Sequence, residues 1–294
     1  MARILRRIGV GVVTVLALLL VYGVAIEPRL ILDERHYRVE VPGLPRQWAG
    51  TEVAVLSDLQ IGMWLDNPAM VDRIVGRVIE QSPAAALVAG DFLYSSGPDS
   101  AEEVEAVRRL LRPLIDAGIP TYAVLGNHDY AVGADDLLTG ELEELGIEVL
   151  QNAAAPIPPP EGVSADDDVY VVGLAPRWPG LDDPDAALAE VPDGAPRIVM
   201  THNPASFPAF PPDSAPFAIA GHTHCGQISL PLTPDWSHLD LRSDERVVAD
   251  GFAPADYGEA GNRLFVTCGI GFSYIPVRIG APPQLVFFEL QAAQ

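Results

Sequence analysis

Lysine is missing from this chain of 294 residues: all 18 basic residues are arginine, against 40 aspartates and glutamates. The absence reads as a coding preference for arginine. It removes the lysine ammonium as a reader of phosphate and leaves Arg177 and Arg278 as the cations to consider. Beyond residue 29 the imbalance sharpens to 14 arginines against 39 acids, a formal −25. A surface of that sign repels polyphosphate backbones and argues against a nucleic-acid partner. Cysteine is almost as scarce. Cys225 and Cys268 are too few for a zinc cluster or a disulfide framework. They read as small buried apolar residues; the other reading makes Cys225, beside His224, a thiolate softer than the oxygen-rich set around it. Internal repeats are lacking too, and no second composition zone follows the N-terminal segment, so one soluble domain is expected behind it.

Apolar residues concentrate in that segment. Arg3, Arg6 and Arg7 precede an uncharged run from Ile8 to Ile26, 19 residues long, and Glu27-Pro28-Arg29 stops it. At 1.5 Å per residue such a helix spans about 28 Å, close to the hydrocarbon thickness of a bilayer. Gly23-Val24-Ala25 offers a weak cleavage site, but the run is longer than a signal-peptide core and lacks a polar stretch before the site. It therefore reads as an uncleaved anchor over residues 1–29, with the membrane contacted by 8–26. A linker and edge strand follow over 30–50, then a catalytic domain over 51–294. The arginines nearest the span favour a cytoplasmic N-terminus and an extracytoplasmic catalytic domain, a vote that Arg29, Arg35 and Arg38 partly cancel.

From Thr51 onward, short apolar runs alternate with helical periodicity, the pattern of an α/β fold. Helices are expected over 68–81, where Met70, Val71, Ile74, Val75 and Val78 recur at helical spacing, over 100–116, and over 137–145. The proline-rich stretch 153–168, with its Asp166-Asp167-Asp168 triplet, reads as a solvated loop. Residues 231–262, including Asp235, Trp236 and Asp240, read as an irregular stretch bordering the substrate. The apolar residues Ile61, Met63, Trp64 and Leu65 either face lipid or pack over the next helix, and packing is the preferred reading.

Five of the apolar runs end on residues that ligate metals. Val53–Ser57 leads into Asp58, with Gln60 two further on; Ala85–Gly90 leads into Asp91; Tyr122–Gly126 leads into Asn127-His128-Asp129. Ile198–Thr201 leads into His202, and Phe217–Gly221 into His222, with His224 beyond. Ligands gather at the carboxyl ends of strands in open α/β sheets. One Asp there is ordinarily a helix cap, and one His a core residue. Four of the six histidines falling in one such set, with His36 and His238 outside it, point to a metal centre. Two dications about 3.5–4 Å apart can clamp the attacking and leaving oxygens of a phosphoryl group, and a carboxylate can bridge them.

In this order the residues resemble the calcineurin-like metallophosphoesterases, whose pattern is D-x-H, G-D, G-N-H-D, a lone H and G-H-x-H. The bacterial membrane-anchored branch is similar further on, in His202-Asn203-Pro204, His222 to Gln227, and the tail from Gly269 to Arg278. The resemblance implies a four-layer α/β sandwich of two packed mixed sheets flanked by helices, following the transmembrane helix, and a bacterial inner-membrane location. It implies that Asp58, Gln60 and His224 hold one metal, that Asn127, His202 and His222 hold the other, and that Asp91 bridges them. A bridging hydroxide would attack phosphorus, His128 would steady charge or protonate the leaving oxygen, and Asp129 would orient the imidazole. Gln60 departs from the family's His; a harder amide ligand leans the pair towards Mn²⁺ over Zn²⁺, with Fe²⁺ and Mg²⁺ as alternatives. The implied activity is hydrolysis of phosphodiester, phosphomonoester or pyrophosphate bonds on a lipid-linked or envelope substrate. The alternatives are a UDP-2,3-diacylglucosamine diphosphatase-like enzyme of lipid A synthesis and a degenerate metal-binding protein without turnover.

Overall fold

The computed structural model describes residues 1–94, 100–159, 168–229, 239, 241–243 and 245–293. Parts of the two expected loops, including Asp166, Asp167, Asp235, Trp236, His238 and Asp240, lie outside them. The described residues form strands β1 (Asp33–Val41), β2 (Glu52–Leu56), β3 (Ala85–Ala89), β4 (Thr121–Val124), β5 (Glu148–Val149) and β6 (Ala153–Ile157). Six more follow: β7 (Val169–Gly173), β8 (Arg197–Thr201), β9 (Ala218–Ala220), β10 (Gly251–Phe252), β11 (Leu264–Val266) and β12 (Gln284–Ala292). They make two six-stranded mixed sheets, ordered β1-β12-β2-β3-β4-β5 and β10-β11-β9-β8-β7-β6. In the first, β12 runs antiparallel to β2 and the remaining pairs are parallel. In the second, only the outer pairs β10–β11 and β6–β7 are antiparallel.

The continuous apolar runs are explained by burial of both sheet faces. Successive side chains of a strand point to opposite sides, so Val53, Val55, Ala85, Leu87 and Val124 meet Val171, Met200, Phe217, Ile219 and Phe265 between the sheets. Ala54, Leu56, Ala86, Val88 and Ala123 point the other way, under the helices. Those helices are α3 (Pro68–Gln81), which turns Met70, Val71, Ile74, Val75 and Val78 inward, α4 (Ala101–Asp116) and α6 (Asp135–Leu145). Acidic residues open α4 and α6, as the helix dipole favours. Behind the second sheet, Val172, Val199, Ala218 and Val266 pack on Ala187, Phe207, Phe210 and Val248 from short helical turns. The fold is the four-layer α/β sandwich, and β1 pairs with β12 along its whole length, so the sheet begins well before residue 51.

A continuous helix over Ala2–Leu30 is long and apolar enough to cross a membrane. Residues 2–21 of it are exposed, and its last turns dock onto the domain. Over Tyr22–Ile26 the helix widens to a π-turn, and the Gly23 carbonyl accepts the Arg278 N–H at 2.8 Å. A side chain there would collide: a Cβ on Gly23 would lie 2.7 Å from Ile279 Cγ1. The buried Glu27 carboxylate accepts the N–H groups of Gly280 and Ala281 at 2.9 and 2.7 Å. Asn67 Nδ2 donates to the Pro28 carbonyl at 2.6 Å, and Arg29 donates to the carbonyls of Leu65 and Asp66. The end of the run is thus joined to the domain by hydrogen bonds and close packing.

Candidate metal centre

Parallel strands β2, β3, β4, β8 and β9 release the chain at the same edge of the sandwich, and the candidate ligands stand immediately beyond them. To turn there, Asp58, Gln60, Asp91, His222 and His224 all adopt positive φ, between 50° and 74°. L-residues enter this left-handed region at a cost of roughly 1–3 kcal/mol each, and such residues cluster at functional sites. Gly90 has no alternative. It sits at φ +87°, and a Cβ would lie 2.7 Å from His202 Nδ1.

Two three-residue groups form, and they share one carboxylate. Ligand atoms of Asp91, His202 and His222 lie within 4.8 Å of one another, as do those of Asp58, Asp91 and His224. Asp58 is fixed by Ser57 Oγ, which donates to Oδ2 at 2.6 Å, and by the His222 N–H. Asp91 accepts from Gln60 Nε2 at 2.8 Å and from the His128 N–H at 2.9 Å. His202 Nδ1 faces the Ala89 carbonyl at 2.9 Å, so in the neutral ring Nδ1 carries the hydrogen and Nε2 is the free lone pair. That Nε2 lies 3.2 Å from Asp91 Oδ2, out of hydrogen-bond alignment. Asn127 and His128 line the open side of the site, with Asn127 Oδ1 3.3 Å from Asn203 Nδ2.

The charges are those of a site built around cations. Burial alone would raise the Asp91 carboxyl, but His202, His128 and His222 outweigh it and hold it well below the usual carboxylate range. Burial pulls the His202 imidazole down; the Asp91 charge overrides this and pushes it up to about 9. His224 goes the other way: burial, opposed by Asp58 and reinforced by Arg278, takes it down to about 4. Gln60 supplies the clearest test of fit. Its Nε2 is spent on Asp91, while its Oε1 is buried without a hydrogen-bond partner. An orphaned buried acceptor costs about 1–3 kcal/mol, and turning the amide over would set oxygen against the Asp91 carboxylate. Divalent cations, one at each group, would satisfy that oxygen and the free His202 Nε2, and the oxygen-and-imidazole set suits such ions.

Three expectations are corrected. Asp129 does not reach the His128 ring. Its oxygens accept the N–H groups of Leu93 and Gly126 at 2.9 and 2.8 Å, the second at the N-cap of the short helix α5 (Asn127–Ala131). Burial and the Asp91 charge push its carboxyl up to about 8, against those two donors. The imidazole is positioned instead by Tyr94, whose carbonyl faces His128 Nδ1 at 3.2 Å and whose ring stacks on it at 4.8 Å. Arg278 does not read phosphate. It is fully buried, donates to the carbonyls of Gly271, Ala281 and Cys268, and lies 3.3 Å from His224 Nδ1. Cys225 and Cys268 are buried as expected, but they are bonded to each other as a disulfide, so Cys225 is no thiolate ligand. Arg177 pairs with Asp182 at 3.3 Å.

Three residues in the site were not singled out from the sequence. Glu245 lies 3.6 Å from His222 Nε2, leaving Nδ1 as that ring's other nitrogen, and the contact holds the Glu245 carboxyl below its usual range. Arg242, whose guanidinium stands 5.4 Å over the Trp178 ring, lines the pocket with Trp178, Ser273 and Tyr274. Tyr94 is the third. Glu245 and Arg242 come from the irregular stretch after β9, which has no periodicity to mark them.

The profile of the calcineurin-like phosphoesterase family matches residues 51–226. Phosphodiesterase YaeI of Escherichia coli K12 is 31% identical over 241 residues, covering 81% of this chain and 82% of that protein. A transmembrane protein with metallophosphoesterase domain from Danio rerio is 28% identical over 94% of this chain, which spans 61% of that protein's length. UDP-2,3-diacylglucosamine pyrophosphatase LpxG of Chlamydia trachomatis is 22% identical, covering 82% of this chain and 85% of that protein.

Proposed function

The chain belongs to the calcineurin-like phosphoesterase family, and on that premise we propose that it is a membrane-anchored phosphoester hydrolase with a two-metal centre and a preference for diesters. The observation that carries the reading is Asp91 standing in both ligand groups. Asp58, Gln60 and His224 would hold one divalent ion, Asn127, His202 and His222 the other, and Asp91 both. When bound, the ions supply Lewis-acid charge and lower the pKa of water. Mn²⁺ is the ion we favour, because the Gln60 amide oxygen replaces a softer imidazole.

The protein's own groups do the rest. His224 is neutral at ordinary pH, so no imidazolium charge there opposes a bound ion. With Nδ1 of His128 turned to the Tyr94 carbonyl, Nε2 is left to meet a phosphoryl or leaving-group oxygen and to hold the proton that the leaving oxygen takes up. Arg242, on the pocket wall, supplies the positive charge expected of Arg177 or Arg278. Diester preference is supported by YaeI, a phosphodiesterase related to this chain.

The disulfide bears on location. Such bonds persist in oxidising compartments and are rare in the cytosol, which supports the orientation read from Arg3, Arg6 and Arg7, with the domain outside the cytoplasmic membrane. LpxG favours a second reading, hydrolysis of a nucleotide-linked diacylated sugar. That reaction uses a cytoplasmic substrate, so the disulfide weighs against it.

The test is hydrolysis of bis-p-nitrophenyl phosphate and p-nitrophenyl phosphate by the full chain in detergent, stripped of metal and then loaded with Mn²⁺ or Zn²⁺. Diester turnover that needs metal and vanishes in Asp91→Ala is the expected outcome. Folded protein inactive with every metal would leave a binding protein in place of an enzyme.

A further inference from the structure

We propose that Trp64, Leu65, Tyr274 and Ile275 sit in the headgroup–acyl boundary of the bilayer that holds the anchor, setting the rim of the metal centre against the membrane. The inference rests on the anchor reading above. The segment after Gln60 divides in two: Ile61 and Met63 are buried, whereas Trp64 is 73% and Leu65 48% exposed. On the neighbouring loop Tyr274 is 68% and Ile275 38% exposed. Singly, exposed apolar side chains mean little. These four lie on two adjoining loops, and their continuity with the helix identifies what covers them. Trp64, Leu65, Ile275, Pro276 and Val277 form one wholly apolar groove with Leu20, Val21, Val24 and Ala25.

The depth is right for an interface. Leu20 to Ala25 are the final turns of the uncharged run, which ends at Ile26. With 1.5 Å per residue, side chains at that level lie within about 9 Å of the hydrocarbon edge. Tryptophan and tyrosine gather at that level because each has an apolar ring and a polar group. Electrostatics cannot supply the seat, since a domain of formal charge −25 is repelled by anionic headgroups. Apolar insertion can.

The same loop connects this surface to the chemistry. Ser273 and Tyr274 line the metal pocket, and Ile275 to Val277 line the groove. The Tyr274 N–H donates to Tyr94 Oη at 3.1 Å, and Tyr94 stacks on His128. A substrate held at the membrane surface would therefore meet the pocket without leaving the interface.

The test places the full chain in nanodiscs of phosphatidylcholine, either plain or brominated at acyl carbons near the headgroup, with intact mass showing that the anchor is present. Tryptophan emission is compared with that of Trp64→Phe. The wild type should lose more emission to bromine, by roughly the share of one tryptophan among four. Ile275→Trp in the Trp64→Phe background should restore the extra loss. Equal losses in all three proteins would overturn the proposal. The readout needs no turnover: quenching without hydrolysis would remove the catalytic reading alone, and hydrolysis without quenching would remove this one.

Discussion

At the scale of single residues, the site was legible where chemistry and strand ends coincide. Asp58, Asp91, Asn127, His202 and His222 each end a short buried run, so the topology that brings those ends together assembles the cluster. Asp129 departs from the role that the resemblance implies, because the turn of α5 sends its carboxylate back to the Gly126 N–H. Gln60 can be judged only in three dimensions, by its orphaned oxygen. Replacing it with leucine should weaken binding of one metal by at least about tenfold, the scale on which supporting groups act at metal sites. Metal content per chain after dialysis reads this out, and two ions retained as firmly as in the wild type would exclude Gln60 as a ligand. His202 gives a pH dependence with a definite sign. Its proton, held up to about pH 9 by Asp91, must leave before Nε2 can bind a cation, so metal affinity should rise with pH from 6 to 9. Calorimetry in buffers of different ionisation enthalpy should show proton release on binding, and a pH-independent affinity would contradict the assignment.

At the scale of elements, α3, α4 and α6 were readable because an apolar stripe at helical spacing has one way to be buried. The end of the N-terminal helix was not. Glu27 reads in sequence as the charge that stops an apolar run, yet it is buried and caps two N–H groups of the loop that carries Arg278. Glu27→Ala would leave both donors without their acceptor, at a cost of about 2–3 kcal/mol for charge-assisted bonds. Because Arg278 adjoins His224, turnover should fall with the melting temperature, and Glu27→Gln, which keeps one carbonyl, should fall between. A truncation beginning at residue 30 should behave like Glu27→Ala; an unchanged melting temperature in both would show that the docked end is dispensable. The disulfide ties the turn after β9, which bears His224, to the segment after β11 across 43 residues of sequence. In the chain-entropy view, closing such a loop is worth about 4 kcal/mol. Replacing both cysteines with serine should lower stability by up to that amount, measured by denaturant unfolding in detergent.

At the scale of the whole molecule, three features that look separate in the sequence agree in space. The acidic surface discourages polyanions, the apolar groove beside the anchor suits the proposed interface, and the disulfide suits the oxidising compartment proposed for the domain. Only the first could be drawn from composition. Two cysteines count as an incidental pair until the fold sets their Cα atoms 4.7 Å apart, and nothing in their spacing marks them as partners. The proposed orientation rests on the pair more than on the arginines, since Arg29 beside the span offsets part of the charge difference. Membranes prepared with a thiol-trapping maleimide and no reductant should therefore yield protein that takes up no label. Reduction before trapping should add two labels per chain. A chain labelled twice without reduction would place the domain in a reducing compartment, and the nucleotide-linked sugar would then become the better substrate to assay.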